Sequence, residues 1–246
     1  MNRNLKIRPR RRGGFTIVEL LVVMVIIAIL AGLLVAGVFA AISRAQKATI
    51  VLELNGMHQA FLRYKQANSE LPPSYMAGGG DPLNQHLKAA FPRRNPSNDT
   101  APAGLNQAQL IVFYLRGYSS DARRPVNGGG DRQPFFDFDK TRIKNASGQA
   151  ADIYADPVPM YFPKHGQQAP YVYFKASRQR DAQGIFRNRF NENEQFAEIA
   201  IAGTATPKVS EEGVEPKPFQ IVSGGLDGNY QATPMYSTED VQDDDK

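Results

Sequence analysis

The feature that most restricts this chain is an apolar segment from Phe15 to Ile42, which contains a single charged residue, Glu19. As an α-helix with a rise of ~1.5 Å per residue it would be roughly 42 Å long, more than the ~30 Å hydrocarbon core of a bilayer. The residues before it include no acid and six cations, namely Arg3, Lys6, Arg8, Arg10, Arg11 and Arg12. Because positive charge holds the preceding end in the cytoplasm, the sequence predicts one membrane-spanning helix whose C-terminal side is exported.

Glu19 does not fit such an environment. A charged side chain inside a membrane helix costs about 2.5–3.5 kcal/mol on insertion scales, so this acid is a functional candidate. No Lys or Arg lies between Phe15 and Ser43 to neutralise it. A cut after Gly14 would give Phe15 a free amine, four residues from Glu19 on the same helix face. That amine could belong to the same chain or to a neighbouring copy.

The same residues carry a family resemblance. A basic leader that ends in Gly13-Gly14, followed by Phe-Thr-Ile-Val-Glu-Leu-Leu-Val, resembles the class III signal of type IV pilins and type II secretion pseudopilins. The resemblance implies that a prepilin peptidase cleaves between Gly14 and Phe15 and N-methylates Phe15, and that Glu19 directs assembly. The leader residues implied in recognition are Arg11, Arg12 and Gly13. The implied partners are other pseudopilins, in a homopolymer with minor subunits, and an inner-membrane assembly platform.

Two other targeting signals are alternatives for the N-terminus. A secretory signal peptide has an apolar core of about 7–15 residues, roughly half the length found here, and would be cleaved near Ala40. A twin-arginine signal is suggested by Arg11-Arg12, but the spacing to Phe15 and the strong hydrophobicity argue against it. We therefore favour the prepilin-type signal.

The composition argues against a nucleic-acid-binding function. The formal charge is +5, but the first 14 residues supply six positive charges, so the processed chain is close to neutral. Nucleic-acid binding requires basic residues clustered on the folded part, so we expect no nucleic-acid partner. Cysteine is absent, which excludes disulfides and thiolate chemistry.

The long helix is predicted to continue beyond the membrane segment and to end before Leu71. No proline occurs between Pro9 and Pro72. A stripe with helical spacing is formed by Ile50, Leu54, Met57, Phe61 and Tyr64. The charged residues off this stripe are Arg44, Lys47, Glu53, Arg63 and Lys65. The predicted parts are a leader (1–14), a transmembrane and assembly helix (15–42), an amphipathic helix (43–70), a periplasmic head (71–236) and an acidic tail (237–246).

The head is predicted to be α+β and pilin-like, with a small, mostly antiparallel sheet laid on the amphipathic half of the long helix. The segment from Pro72 to Gly104 is interpreted as loop with at most a short helix around Leu83–Phe91. Leu105–Leu115 is expected to be a helix, and a strand is the alternative there. Glycine runs at 78–80 and 128–130 are read as flexible turns. The predicted strands are Phe135–Phe138, Asp152–Ala155, Pro159–Phe162, Pro170–Ala176, Glu198–Ala202 and Phe219–Ser223.

The last predicted strand runs into a glycine-rich turn that carries Asp227. The segment from Phe219 to Tyr230 is similar to the C-terminal strand and loop of major pseudopilins, in which a carboxylate-rich loop binds calcium. The resemblance implies Asp227 as a Ca²⁺ ligand, with Asn229 added by proximity alone, and hard oxygen ligands suit this ion. No D-x-D-x-D-G pattern is present, so a plain turn followed by a solvated acidic tail is the alternative.

No catalytic arrangement is present in the sequence. His58, His86 and His165 lack metal-ligand spacing, and there is no Gly-x-Ser-x-Gly elbow. Asp137 and Asp139 would share one face of a strand, as a carboxylate pair does, although acids at a sheet edge are more often solvated. We therefore expect a structural protein and not an enzyme.

The favoured function is a structural subunit of a type II secretion pseudopilus, which polymerises through its N-terminal helix to support protein export. The precursor would cross the inner membrane once, with its N-terminus in the cytoplasm and its head in the periplasm. A pilin or minor pilin of a type IV pilus is one alternative. A membrane-anchored binding module with a prepilin leader is another.

Overall fold

The computed structural model describes residues 14–74, 81–165, 169–180, 186–189, 217–228, 230 and 236–237. The chain divides into two compact units, Met1–Ala45 and Gln46–Lys246. A single helix, α1 (Ile17–Asn68), contributes to both. The other elements belong to the second unit, the head, and include helices and antiparallel strands, so the predicted α+β class is confirmed.

In the first unit, α1 is apolar on all sides and uncovered. Phe15 is 79% exposed and Ile17 is 84% exposed, and the large apolar side chains that follow are also exposed. By length and composition α1 is able to cross a membrane, and none of its most apolar window is buried against the protein. A helix that is hydrophobic all round requires an apolar environment from outside the chain.

In the second unit, α1 presents one buried face to the head. Ile50, Leu54, Met57, Phe61 and Tyr64 are each fully buried, so the predicted stripe is confirmed. Burying each of these large side chains contributes on the order of 1.5–3 kcal/mol to folding. The helix ends at Asn68, ahead of Leu71 as predicted, and the next residue, Ser69, has a left-handed φ of 65°.

Two short helices cover the end of this face. Helix α2 (Pro82–Ala90) begins where the Asp81 side chain accepts a hydrogen bond from the Asn84 amide, and Pro82 occupies the first turn. Helix α3 (Gln107–Leu115) begins with a capping box between Asn106 and Gln109. Both helices were predicted. Helix α3 is buried along nearly its whole length, because seven of its nine residues are inaccessible.

Within the described residues, seven short strands form three antiparallel sheets. They are β1 (Ile143–Lys144), β2 (Met160–Tyr161), β3 (Val172–Lys175), β4 (Ser177–Arg180), β5 (Phe186–Arg189), β6 (Phe219–Ser223) and β7 (Tyr236–Ser237). The pairs are β1–β2 and β4–β5, and the third sheet has the order β3–β6–β7. In that sheet Tyr173 lies opposite Ile221 and Val172 lies opposite Val222. Strands β2, β3 and β6 lie within predicted strands.

Two other predicted strands are wrong. In Phe135–Phe138 the amides of Phe135 and Phe136 both donate to the Leu115 carbonyl, and the segment forms no strand ladder. Asp152–Ala155 is a turn, because the Asp152 side chain accepts a hydrogen bond from the Tyr154 amide at 2.8 Å. The predicted strand Glu198–Ala202 lies outside the described residues, as do glycines 78–80.

The glycine run at 128–130 forms a tightly packed turn. The Gly128 amide donates to the Arg124 carbonyl at 2.7 Å. A Cβ at Gly128 would lie 2.2 Å from that carbonyl oxygen, which explains why only glycine fits. Gly130 has a left-handed φ of 93°. The turn was predicted, but its glycines serve close packing.

A buried ion pair joins this turn to the loop that follows α2. Arg94 donates from Nε to Oδ2 of Asp99 at 2.7 Å, and the side chains of both residues are almost inaccessible to solvent. Asp99 also accepts hydrogen bonds from the backbone amides of Val126 and Asn127. Arg94 reaches back to the Asn84 side chain in α2 at 2.7 Å. The Asp99 carboxylate therefore connects the loop after α2 to the backbone at Val126 and Asn127.

Aromatic side chains connect α1 to the main sheet. Phe61 stacks on Tyr173 of β3 with ring centroids 4.3 Å apart, and it also contacts Phe219 of β6. Tyr173 donates its hydroxyl hydrogen bond to the Pro72 carbonyl just after the helix. The sheet therefore packs on the amphipathic half of α1, as predicted.

A polar network joins the same face of α1 to the rest of the head. Glu53 accepts hydrogen bonds from the Arg142 guanidinium, from Tyr161 of β2 at 2.8 Å and from Tyr171 at 2.6 Å. The Glu53 and Arg142 side chains are only 12% and 10% exposed. Arg142 also donates from Nε to Oδ2 of Asp139 at 3.2 Å. The sequence placed Glu53 off the buried stripe, but its side chain is enclosed by the head.

The network keeps Glu53 ionised in spite of its burial. Burial alone raises the pKa of Glu53, but the hydrogen bonds from Arg142, Tyr171 and Tyr161 together with the Arg142 charge lower it below the usual value. Because the folded pKa is lowered, this carboxylate stabilises the fold at neutral pH, and the contribution is lost as the pH falls through the folded pKa.

We predict that Arg142→Met destabilises the head strongly. The substitution leaves the Glu53 carboxylate enclosed without its cation, which typically costs about 3–5 kcal/mol. The measurement is denaturant unfolding of the full chain in detergent, followed by near-ultraviolet circular dichroism. The matched control is Arg124→Met, which removes an ion pair to Asp121 whose arginine is 51% exposed and should cost less than about 1 kcal/mol. Equal effects of the two variants would contradict the stabilising role of the network.

Candidate assembly site at the start of the long helix

The N-terminal segment that precedes α1 is uncovered. Gly14, Phe15 and Thr16 lie ahead of the first helical residue and are exposed. A Cβ placed on Gly14 would meet no atom within 4 Å, so nothing inside the fold requires glycine there. Any requirement for a small residue at this position must come from a molecule that acts on the segment.

Glu19 closes a capping box at this helix end. The Thr16 amide and the Thr16 hydroxyl each donate to Oε2 of Glu19 at 2.9 Å, and the Glu19 amide donates to the Thr16 hydroxyl at 3.2 Å. These bonds satisfy amide groups that a helix start leaves without intrahelical partners. Thr16 was not identified from the sequence, although the spacing Thr-x-x-Glu ahead of an apolar run is the signature of this motif.

The capping box uses only one of the two carboxylate oxygens. Among the described residues, Oε2 of Glu19 accepts both hydrogen bonds and Oε1 accepts none. No cationic side chain of the described residues pairs with Glu19. An exposed oxygen on an apolar helix is therefore available to a donor or cation from outside this helix.

Of the remaining predicted site residues, only Asp227 lies within the described part of the chain. Arg11, Arg12, Gly13 and Asn229 lie outside the described residues. Asp227 is exposed in the turn between Gly225 and Gly228, both of which have left-handed φ angles, so the predicted strand-to-turn arrangement is confirmed. The described residues contain no group of three His, Asp or Glu side chains that could hold a metal ion. Calcium binding at Asp227 and Asn229 stays a prediction.

The acids considered for catalysis have separate roles. Asp139 caps a short 3-10 helix (Lys140–Arg142) by accepting from the Thr141 amide at 3.0 Å, and it pairs with Arg142. Asp137 is exposed at a shallow cleft of about 250 Å³ that Asp152 and Tyr154 also line. The two acids therefore do not act as a carboxylate pair.

His58 and His86 are packing residues. His58 stacks on Phe219 with ring centroids 4.6 Å apart. His86 is buried and its Nε2 shares a hydrogen bond of 2.8 Å with the Tyr64 hydroxyl. Burial lowers the pKa of both rings, and the Lys217 charge lowers that of His58 further. For His86, Lys175 acts in the same direction and Glu70 opposes it, so that its pKa falls from 6.5 to about 4.

A comparison with known families identifies the N-terminal segment. Residues 9–35 match the family model of the prokaryotic N-terminal methylation motif. This match confirms the predicted prepilin-type signal, and the motif fits a type IV pilin-like or pseudopilin subunit, which is a structural type of protein. The motif implies processing by a prepilin peptidase and assembly with other pilin-like subunits. No curated protein and no solved structure shows a significant match to the chain.

The motif and α1 together describe a membrane-anchored chain. The matched residues include the end of the basic segment, the Gly14–Phe15 junction and most of the apolar segment from Phe15 to Ile42. The helix is long and apolar enough to cross a membrane once. The arrangement is that of a single-pass precursor with a folded α+β head.

We predict that the head loses stability as the pH falls from about 6.5 towards 4. The unfolded chain binds a proton at His86 in this range and the folded chain does not, because the folded pKa is the lower of the two. The measurement is the free energy of unfolding of the full chain in detergent across this interval. His86→Gln should flatten the profile, whereas His165→Gln, outside this contact, should leave it unchanged. A profile that His86→Gln does not alter would contradict the assignment.

Proposed function

We propose that this chain is the precursor of a structural subunit of a type II secretion pseudopilus. The observation that carries the proposal is one exposed carboxylate, Glu19, near the start of an uncovered apolar helix that begins within the matched N-terminal methylation motif. An apolar helix of this kind needs a bilayer or other helices around it. When the helix leaves the bilayer, polymerisation surrounds it with the apolar helices of neighbouring subunits.

Processing comes first in this proposal. A prepilin peptidase removes residues 1–14 by cleaving between Gly14 and Phe15, and the new amine of Phe15 is methylated. The exposed junction supports access by an enzyme, and the open space around Gly14 suits recognition of a small residue by its active site. The leader cations Arg11 and Arg12, with Gly13, would mark the substrate.

Assembly uses the charge that processing creates. Oε1 of Glu19, which accepts no bond from the described residues, would receive the Phe15 amine of a neighbouring subunit while Oε2 stays in the capping box. Pairing offsets the cost of keeping a carboxylate among apolar side chains. It would also set the axial offset between neighbouring helices, because the amine and the acid of two subunits meet at one displacement only.

The basic leader and the C-terminal strand support a location and a subunit class. The basic leader favours a cytoplasmic N-terminus and a periplasmic head. Strand β6 leading into the turn at Asp227 resembles the C-terminal arrangement of pseudopilins, which favours a pseudopilus over an adhesive pilus. A type IV pilin or minor pilin is the second candidate, because the same motif serves both kinds of filament. The two candidates are separated by the export of a secreted protein in a strain deleted for this gene. Loss of export would favour the pseudopilus, and unchanged export would favour the type IV pilus.

We predict that the mature protein from its native host lacks residues 1–14 and carries one methyl group on Phe15. The measurement is the intact mass with a fragment spectrum of the N-terminus. Gly14→Leu should leave the leader attached, because the peptidase cannot accept a bulky residue, whereas Gly32→Leu keeps the junction intact and should be processed normally. A chain that begins at Met1, or near Ala40, would contradict the prepilin reading.

We predict that Glu19→Gln is processed and inserted but is excluded from filaments. Glutamine retains the capping box and removes the charge, so this variant tests the charge alone. Thr16→Val is the matched variant, because it removes the Thr16 hydroxyl from the cap and leaves the Glu19 carboxylate. The measurement is the share of each variant in sheared filament fractions beside the parent chain. If Thr16→Val were excluded and Glu19→Gln incorporated, Glu19 would act as a cap only.

A further inference from the structure

A basic patch lies on the head where the loop after α2 meets the loop that precedes the 128–130 turn. The patch comprises Arg93, Arg123 and Arg124 together with a shallow pocket of about 230 Å³, whose apolar walls are Ala90, Phe91, Pro92 and Ala122. The Asn95 amide donates to the Arg123 carbonyl at 2.9 Å, which holds the two loops together at this point.

The charge of this patch is poorly compensated. Arg93 and Arg123 are exposed, and neither side chain forms a hydrogen bond or an ion pair with any of the described residues. Arg124 is paired with Asp121 across 3.1 Å, but both partners remain partly exposed. Two guanidinium groups that no described acid pairs with, beside an apolar pocket, form a surface that suits an acidic peptide with an apolar side chain.

The chain itself contains a segment of that chemistry. The last nine residues are Thr-Glu-Asp-Val-Gln-Asp-Asp-Asp-Lys, from Thr238 to Lys246, with five acids and a single large apolar residue, Val241. We propose that the basic patch of one copy binds the acidic tail of a second copy. Val241 occupies the pocket, and the flanking carboxylates pair with Arg93 and Arg123. A second copy is the source because the N-terminal motif implies that such subunits assemble side by side.

The proposal rests on the proposed function for the presence of a neighbouring copy, but its chemistry is independent of Glu19. The proposed attraction is between the acidic side chains of the tail and the arginines of the patch, so the contact should weaken steeply with salt. The Debye length shrinks from about 10 Å at 0.1 M to about 3 Å at 1 M ionic strength. The contact would therefore add a second, salt-sensitive link between heads to the link between helices.

The first experiment uses a fluorescent peptide of residues 238–246 and the full chain truncated after Ser237, in detergent. We expect saturable binding that falls at least about tenfold when the salt rises from about 50 mM to about 500 mM. A peptide with Asn and Gln in place of the acids is the matched control and should not bind. Arg93→Glu with Arg123→Glu should abolish binding, whereas Lys47→Glu on α1 should not. Binding unaffected by the patch variant would overturn the proposal.

The second experiment exploits the absence of cysteine from the chain. Two differently tagged copies are expressed together in the native host, one with Ala122→Cys in the patch and one with Val241→Cys in the tail. A short bis-maleimide should link the two tags. Ala146→Cys, which is exposed outside the patch, is the control for Ala122→Cys. A link that forms equally well at position 146 would overturn the proposal.

A charge exchange completes the test and separates the two hypotheses. Arg93→Glu with Arg123→Glu should abolish the link, and changing Asp243, Asp244 and Asp245 to Lys in the other copy should restore it. Filament formation by the parent chain is measured in parallel through sheared fractions. Filaments without the link would overturn the tail contact and leave the proposed function standing. Peptide binding without filament formation would contradict the proposed pseudopilus function and would leave the binding of the acidic tail to the basic patch standing. In a chain that carries both Ala122→Cys and Val241→Cys, a link within one copy and none between two tagged copies would overturn the choice of a second copy.

Discussion

The packing of the head on α1 depends on the hydrogen bonds that one buried carboxylate accepts. Glu53 of α1 accepts four hydrogen bonds, two from Arg142 and one each from Tyr161 and Tyr171. These donors come from the short 3-10 helix, from β2 and from the residue that precedes β3. Because successive residues of a helix differ by about 100° in direction, a slip of one position on α1 would break all four bonds. The apolar stripe stabilises the docking of the helix, and Glu53 specifies its register.

The sequence predicted the periodic parts of the fold and missed the parts that depend on single contacts. The stripe from Ile50 to Tyr64 and strand β3 are apolar at the positions that the fold buries, so their sequence patterns predicted them directly. Phe135–Phe138 has strand-like composition, but its amides bond to the Leu115 carbonyl, which is adjacent only after folding. Glu53 was missed for the same reason. A carboxylate between apolar neighbours on a helix carries no local signal that distinguishes an enclosed acid from a solvated one.

The candidate site was predictable to a larger degree because its signals are local. Gly14, Phe15 and Glu19 lie within a short span, and their spacing is the evidence. The structure adds Thr16 as the partner of Glu19 in the capping box, and it shows that the two carboxylate oxygens of Glu19 differ in their hydrogen bonds. Oε2 accepts the hydrogen bonds of the capping box, and Oε1 accepts none from the described residues. The basic patch, by contrast, was invisible in the sequence, because Arg93 and Arg123 are 30 positions apart and meet only through the folded loops.

The buried pair of Arg94 and Asp99 has a consequence for recognition on the outer surface beside it. Asp99 gathers the amides of Val126 and Asn127 around one carboxylate, so the loop residues that carry Arg93 and Arg123 are anchored from beneath. A receptor surface that is already rigid loses little conformational entropy when a ligand arrives. Nearly all the ordering cost of such an encounter then falls on the incoming peptide, which makes peptide length and sequence the quantities that tune the affinity.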